Sequence, residues 1–175
     1  MEEKFKIICL VSIFLFVGKS LYAQSGEQSI YIGPGFGMDY GGFGAKVEYL
    51  PVKHLGVFGG VGYNLLSLGW NVGATFKMLP YKKVSPNLIA FYGYNGVTKT
   101  KGASYYNMTS YSVTVGANLD IAISRKGHKI SVGLFVPIRT DKFMDNYDAM
   151  KADPNIEINN ELLPIAISVG FNFRL

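Results

Sequence analysis

The sequence of 175 residues is poor in charge. Asp, Glu, Lys and Arg make up 17% of it, where a soluble domain carries about 25%. It has one cysteine, Cys9, so a disulfide within the chain is excluded. It has two histidines, His54 and His128, which leaves little for imidazole-based catalysis. Its longest apolar run, Ile7 to Val17, spans 11 residues. A membrane-spanning helix needs about 20. What the chain has instead is glycine, tyrosine and phenylalanine, at 21, 12 and 12 residues. Low charge with many aromatics predicts a protein whose outer surface is not all in water.

The short apolar run follows Lys4 and Lys6 and precedes Leu21-Tyr22-Ala23. This is the order of an export signal, with cleavage before Gln24. Residues 1–23 are therefore expected to be a signal peptide, and 24–175 a single domain. Cys9 falls in the segment to be removed, so the mature chain would have no thiol nucleophile and no Cys-based metal site. The mature chain would keep 14 bases and 10 acids, a surplus of 4. That is too mild a charge to suggest a nucleic acid partner.

From residue 29 onward the dominant pattern is alternation with period two, the signature of strands with two unlike faces. Eight such segments can be marked, at about 29–38, 43–50, 55–65, 69–79, 87–97, 111–123, 129–139 and 164–175. The sixth and eighth are the cleanest. In the last, Ile165, Ile167, Val169, Phe171, Phe173 and Leu175 alternate with Ala166, Ser168, Gly170, Asn172 and Arg174. Pro34 and Pro137 each lack a ladder donor, which bulges would accommodate. Phe58 and Phe135 fall on the small-residue face, beside glycines whose missing side chains leave room for them.

Alternation alone fits a soluble barrel or sandwich as well. Volume and composition decide between them. About forty large apolar side chains do not fit inside an eight-stranded barrel, whose bore is just filled by side chains. The opposite face, rich in Gly, Ser, Thr and Asn, does fit. A soluble barrel would also need charge on its outside. The expected fold is thus all-β: a closed antiparallel eight-stranded up-and-down transmembrane β-barrel, apolar side to lipid. Closure pairs every strand edge, as lipid requires. With the N-terminus placed in the periplasm, the connections at 51–54, 80–86 and 124–128 become short periplasmic turns. The long connections, 98–110 and 140–162, become outer loops, and 39–42 and 66–68 short outer turns. Phe36, Phe43, Tyr63, Trp70, Tyr94 and Tyr111 would then form an outer aromatic belt, and Tyr49, Phe76, Phe171 and Phe173 an inner one.

Five charges have inward parity: Lys46, Glu48, Lys77, Asp120 and Arg174. A buried charge must be paired. The expectation is a plug in which Glu48 and Asp120 bridge the three bases; the alternative is a selectivity ring in a narrow channel. Lys82, Lys83, Arg125, Lys126 and Lys129 are assigned to periplasmic turns, facing anionic headgroups. The 140–162 loop carries Asp141, Asp145, Asp148, Asp153, Glu157 and Glu161, without calcium-loop spacing. Lys99, Lys101, Tyr105 and Tyr106 in the neighbouring loop could pair with it. No metal or cofactor is expected, and the turn histidines have no evident serine partner.

The export signal, the eight dyad-repeat segments and the ending I-A-I-S-V-G-F-N-F-R-L together resemble the small OmpX/OmpA-type eight-stranded outer-membrane β-barrel family of Gram-negative bacteria, the porin-like outer-membrane barrel domains. The resemblance covers about 24–175 and is one of architecture. It implies an outer-membrane location with both termini periplasmic, contact with outer-membrane lipid and lipopolysaccharide, and recognition of the terminal strand (Val169, Phe171, Phe173, Leu175) by the barrel-assembly machinery. Where that family often closes on Phe, this chain ends in Leu175, and Phe173 would serve instead. The family holds anchors, adhesion proteins, channels and a few lipid-modifying enzymes, so the fold does not name the function. The first expectation is a non-enzymatic anchor displaying its long loops to an extracellular partner. A narrow channel for ions or small solutes is the alternative, and a lipid-modifying enzyme a weaker one.

Overall fold

Period-two alternation can end in any half-buried sheet, and the strand pairing decides which. The computed structural model describes residues 28–80, 82–100, 104–154, 156 and 162–175; the expected signal segment lies outside them. Eight strands pair antiparallel in sequence order and close on themselves: β1 (Ser29–Gly37), β2 (Gly42–Val52), β3 (Leu55–Tyr63), β4 (Leu68–Lys77), β5 (Val84–Thr98), β6 (Met108–Ala122), β7 (Lys129–Pro137) and β8 (Ala166–Arg174). The β1–β8 seam closes the barrel, with Tyr31 opposite Arg174 and Phe36 opposite Val169. The near end carries the start of β1, the end of β8 and the short β2–β3, β4–β5 and β6–β7 turns. The far end carries the other four connections.

Pro34 produces no bulge. The seam keeps one register on both sides of it and simply lacks pairs at Gly33 and Pro34, where the ladder donor is missing. Pro137 is the last residue of β7, where a missing donor costs least. The register shifts lie elsewhere, between Tyr49 and Val52 and between Tyr94 and Gly96. Past the second shift, β5 and β6 run on to Thr98 and Met108, longer than the alternation predicts. Their far-end parts have lost β4 and β7 as neighbours, so they stand as a two-stranded hairpin above the rim.

Two connections depart from the expected loops. The segment Asp141–Ala152 is a helix, α1, with Phe143, Tyr147 and Met150 on one buried face at helical spacing. Phe143 packs toward Gly96 of the hairpin. The other departure is Met38–Tyr40, a single 3-10 turn closed by Gly41 in the left-handed region (φ 73°). It does not project outward as a surface turn. Asp39 and Tyr40 are 1% and 0% exposed, because the turn folds down into the bore.

The wall is cut back to receive it. A Cβ at Gly35 or Gly170 would collide with the Tyr40 ring or hydroxyl, and one at Gly60 with the Asp39 carbonyl. Beside the turn, Met38, Phe58, Ile89, Phe91 and Phe135 form the apolar core. Phe91 meets Phe58 and Phe135 edge-on, with centroids 6.0 and 5.4 Å apart. The inward Phe rings thus fill space left by Gly73, Gly116 and Gly133.

Tyr40→Ala should cost about 3–5 kcal/mol, the range for emptying a buried aromatic site. Tyr40→Phe should cost about 1 kcal/mol, the loss of one hydrogen bond. Equilibrium urea unfolding followed by Trp70 fluorescence checks both.

Candidate functional site

The strand charges are Lys46, Glu48, Lys77, Asp120, Lys129 and Arg174, and all have inward parity. Four of them meet in the near half of the bore. Lys77 Nζ lies 2.7 Å from Asp120 Oδ2 and 3.4 Å from Glu48 Oε1. Lys129 Nζ lies 2.6 Å from Glu48 Oε2 and 2.7 Å from Asp120 Oδ2. Two ammonium groups and two carboxylates therefore alternate in a closed square, with no net charge. Glu48, Lys77, Asp120 and Lys129 come from β2, β4, β6 and β7, so the square ties the neighbouring strands β6 and β7 to β2 and β4, which they do not pair with. Lys129 also sits 4.2 Å from the centre of the Tyr31 ring, within cation–π range.

Polar contacts continue from the square toward the far end. Ser131 donates to Asp120 Oδ1 at 2.5 Å, and Asn172 donates to Ser131 at 3.0 Å and to the Tyr40 hydroxyl at 3.2 Å. Lys46 lies 4.4 Å above the Tyr40 ring and pairs with Asp39 Oδ2 at 2.5 Å. The lumen is thus filled by one ionic square, one ion pair and the hydrogen-bonded chain between them.

Glu48, Lys77 and Asp120 are brought together as the sequence predicts. Lys46 is not part of that group, because the inward turn supplies it with Asp39. Arg174 is half-buried at the near-end mouth beside Gly127, and Lys129 holds the corresponding place in the square. The assignment of Lys129 to a membrane-facing turn is thereby corrected. Its parity with the small inward residues Ser131 and Gly133 was the available signal.

Among the expected belt residues, Phe36, Phe43, Tyr63, Trp70, Phe76 and Phe173 are exposed, and Tyr49, Tyr111 and Phe171 half-exposed. Tyr94 has the same intermediate exposure as Tyr49, Tyr111 and Phe171 but packs against the apolar core. Tyr92 takes the outward place beside Trp70, at 6.2 Å. On the terminal strand, Val169, Phe173 and Leu175 are exposed.

At the far end, Tyr105 and Tyr106 donate to Asp153 at 3.3 and 3.4 Å, and Asn146 of α1 donates to the Tyr106 carbonyl at 3.0 Å. The two long connections are therefore joined. Lys101, Glu157 and Glu161 lie outside the described residues. Arg139 donates to the Leu163 carbonyl at 2.7 Å, and its partial burial lowers its pKa. At the near end, His54 donates through Nδ1 to the Lys77 carbonyl at 2.8 Å, and His128 accepts from the Arg174 amide at 3.2 Å. Both imidazoles thus hold turns in place. No protein-family model matches the chain, and no curated protein matches it.

Asp120→Ala would leave two buried ammonium groups facing Glu48 alone, and should cost about 3–5 kcal/mol. Adding Lys77→Met restores the balance of charge and should recover part of that loss. A double-mutant cycle by urea unfolding measures the coupling, expected at about 1 kcal/mol or more.

Proposed function

We propose that the protein is an integral outer-membrane barrel without enzymatic activity, exported by its N-terminal segment. In this reading the barrel is the anchor, and the joined far-end connections, including α1, are the surface offered to a partner outside the cell. One observation carries it. The outward positions of the eight strands are Val, Ile, Leu, Phe, Tyr, Trp, Ala, Gly and Pro between the rims, while every strand charge turns inward. Ile30, Val57, Val72, Leu88, Val115, Leu134 and Ile167 are all at least 41% exposed. A continuous apolar belt of this kind would be costly in water and suits hydrocarbon.

The filled lumen favours an anchor over a channel. The ionic square, the chain through Asn172 and the inward turn occupy the route that an ion would follow. Lipopolysaccharide and phospholipid are the expected neighbours of the belt, and the apolar positions of β8 suit recognition by the barrel-assembly machinery.

The protein in the detergent-extracted outer-membrane fraction should run faster in SDS unboiled than boiled. Val115→Arg, at the middle of β6, should destabilise the lipid-embedded barrel by about 2–4 kcal/mol. Recovery of the protein from the soluble periplasmic fraction, with no mobility shift, would overturn the reading.

A further inference from the structure

The near end of the bore opens into a cavity of about 390 Å³, within the range of ligand pockets, about 300–1,000 Å³. Its floor is the ionic square. Six cationic side chains line it: Lys53, Lys77, Lys82, Lys83, Lys129 and Arg174. Among the described residues the one acid in the lining is Asp120, with Glu48 behind it. Both carboxylates already hold Lys77 and Lys129. Lys53, Lys82 and Lys83 therefore add positive charge beyond what the square balances, around a concave, dead-ended space. They come from two different parts of the near rim, the β2–β3 turn and the β4–β5 turn, and Arg174 at the end of β8 lines the same space. The hydroxyls of Ser29 and Ser85 line the same space as further donors.

We infer that this vestibule is a binding site for a phosphate-bearing anion. The floor fixes the chemistry. Its two carboxylates are screened by their own lysines, so among the described residues an entering anion meets donors and no bare acid. Low-dielectric walls strengthen that field, and lysine is a common phosphate binder. The closed floor makes this a site for holding a ligand rather than for passing it. The phosphate could belong to a small solute in the surrounding solvent or to a lipid headgroup reaching over the rim, since both present the same group.

The test titrates sn-glycerol 3-phosphate into the full chain in non-ionic detergent, followed by calorimetry. One saturable site per barrel is expected. Lys53→Gln/Lys82→Gln/Lys83→Gln should weaken it at least tenfold while leaving the unboiled SDS mobility unchanged. Arg125→Gln/Lys126→Gln, on the neighbouring turn but outside the lining, should leave it intact. Repeating the titration in vesicles separates the sources. Competition by phosphatidylglycerol but not by phosphatidylcholine identifies a headgroup; equal binding in both vesicles identifies a solute. Absence of saturable binding in detergent, or equal loss in both variants, overturns the proposal. The mobility control shows separately whether the barrel reading itself has failed.

Discussion

The narrow bore of an eight-stranded barrel is the constraint on which the rest depends. It admits one layer of side chains and little more, so every inward residue must be small, matched or both. The two halves satisfy this differently. In the near half, charges from β2, β4, β6 and β7 meet as a balanced square. In the far half, glycines withdraw from the wall and the chain itself folds in to fill the space with Tyr40. The square is weak evidence of stabilisation relative to an apolar core, because desolvating four charges offsets much of their attraction. What it contributes is a unique closure. Lys129 on β7 reaches Glu48 on β2 across the bore, so a shift in strand register would leave carboxylate and ammonium unmatched.

Much of this was legible in the alternation. Inward parity picked out Glu48, Lys77 and Asp120 before any pairing was known, because a strand fixes the face of every second residue. Four features were hidden for physical reasons. Lys129 opens its strand, where a basic residue after a turn reads as surface despite its parity with Ser131 and Gly133; the registers of β6 and β7 place it opposite Ala122 and inside. Asp39 and Tyr40 form a polar pair followed by two glycines, which reads as an outward turn. Their inward course depends on glycines from other strands, Gly60 and Gly170, whose alignment the linear sequence does not show. Helix α1 was obscured by its acids, although Phe143, Tyr147 and Met150 carry helical spacing. The β5–β6 hairpin ran past its expected ends because the register shift at Tyr94 reverses the alternation there.

The two ends of the molecule are chemically opposite. The far end is covered, with α1 over the hairpin and Tyr105 and Tyr106 tied to Asp153. The near end is open, concave and basic. Between them lies a lumen whose polar groups hold one another from Glu48 through Asn172 to Asp39. A closed barrel has no free edge and no hinge along which its walls could part. A ligand that binds only at one end can shift an equilibrium only if it binds two states of the molecule differently, and a braced wall leaves few states to choose between. The two ends are therefore expected to work independently, with the anion site at one mouth unaffected by what the far loops contact. Exchange between them would require the ionic square to open, and its neutrality is what makes opening costly, since each separated ion would face a low-dielectric wall alone.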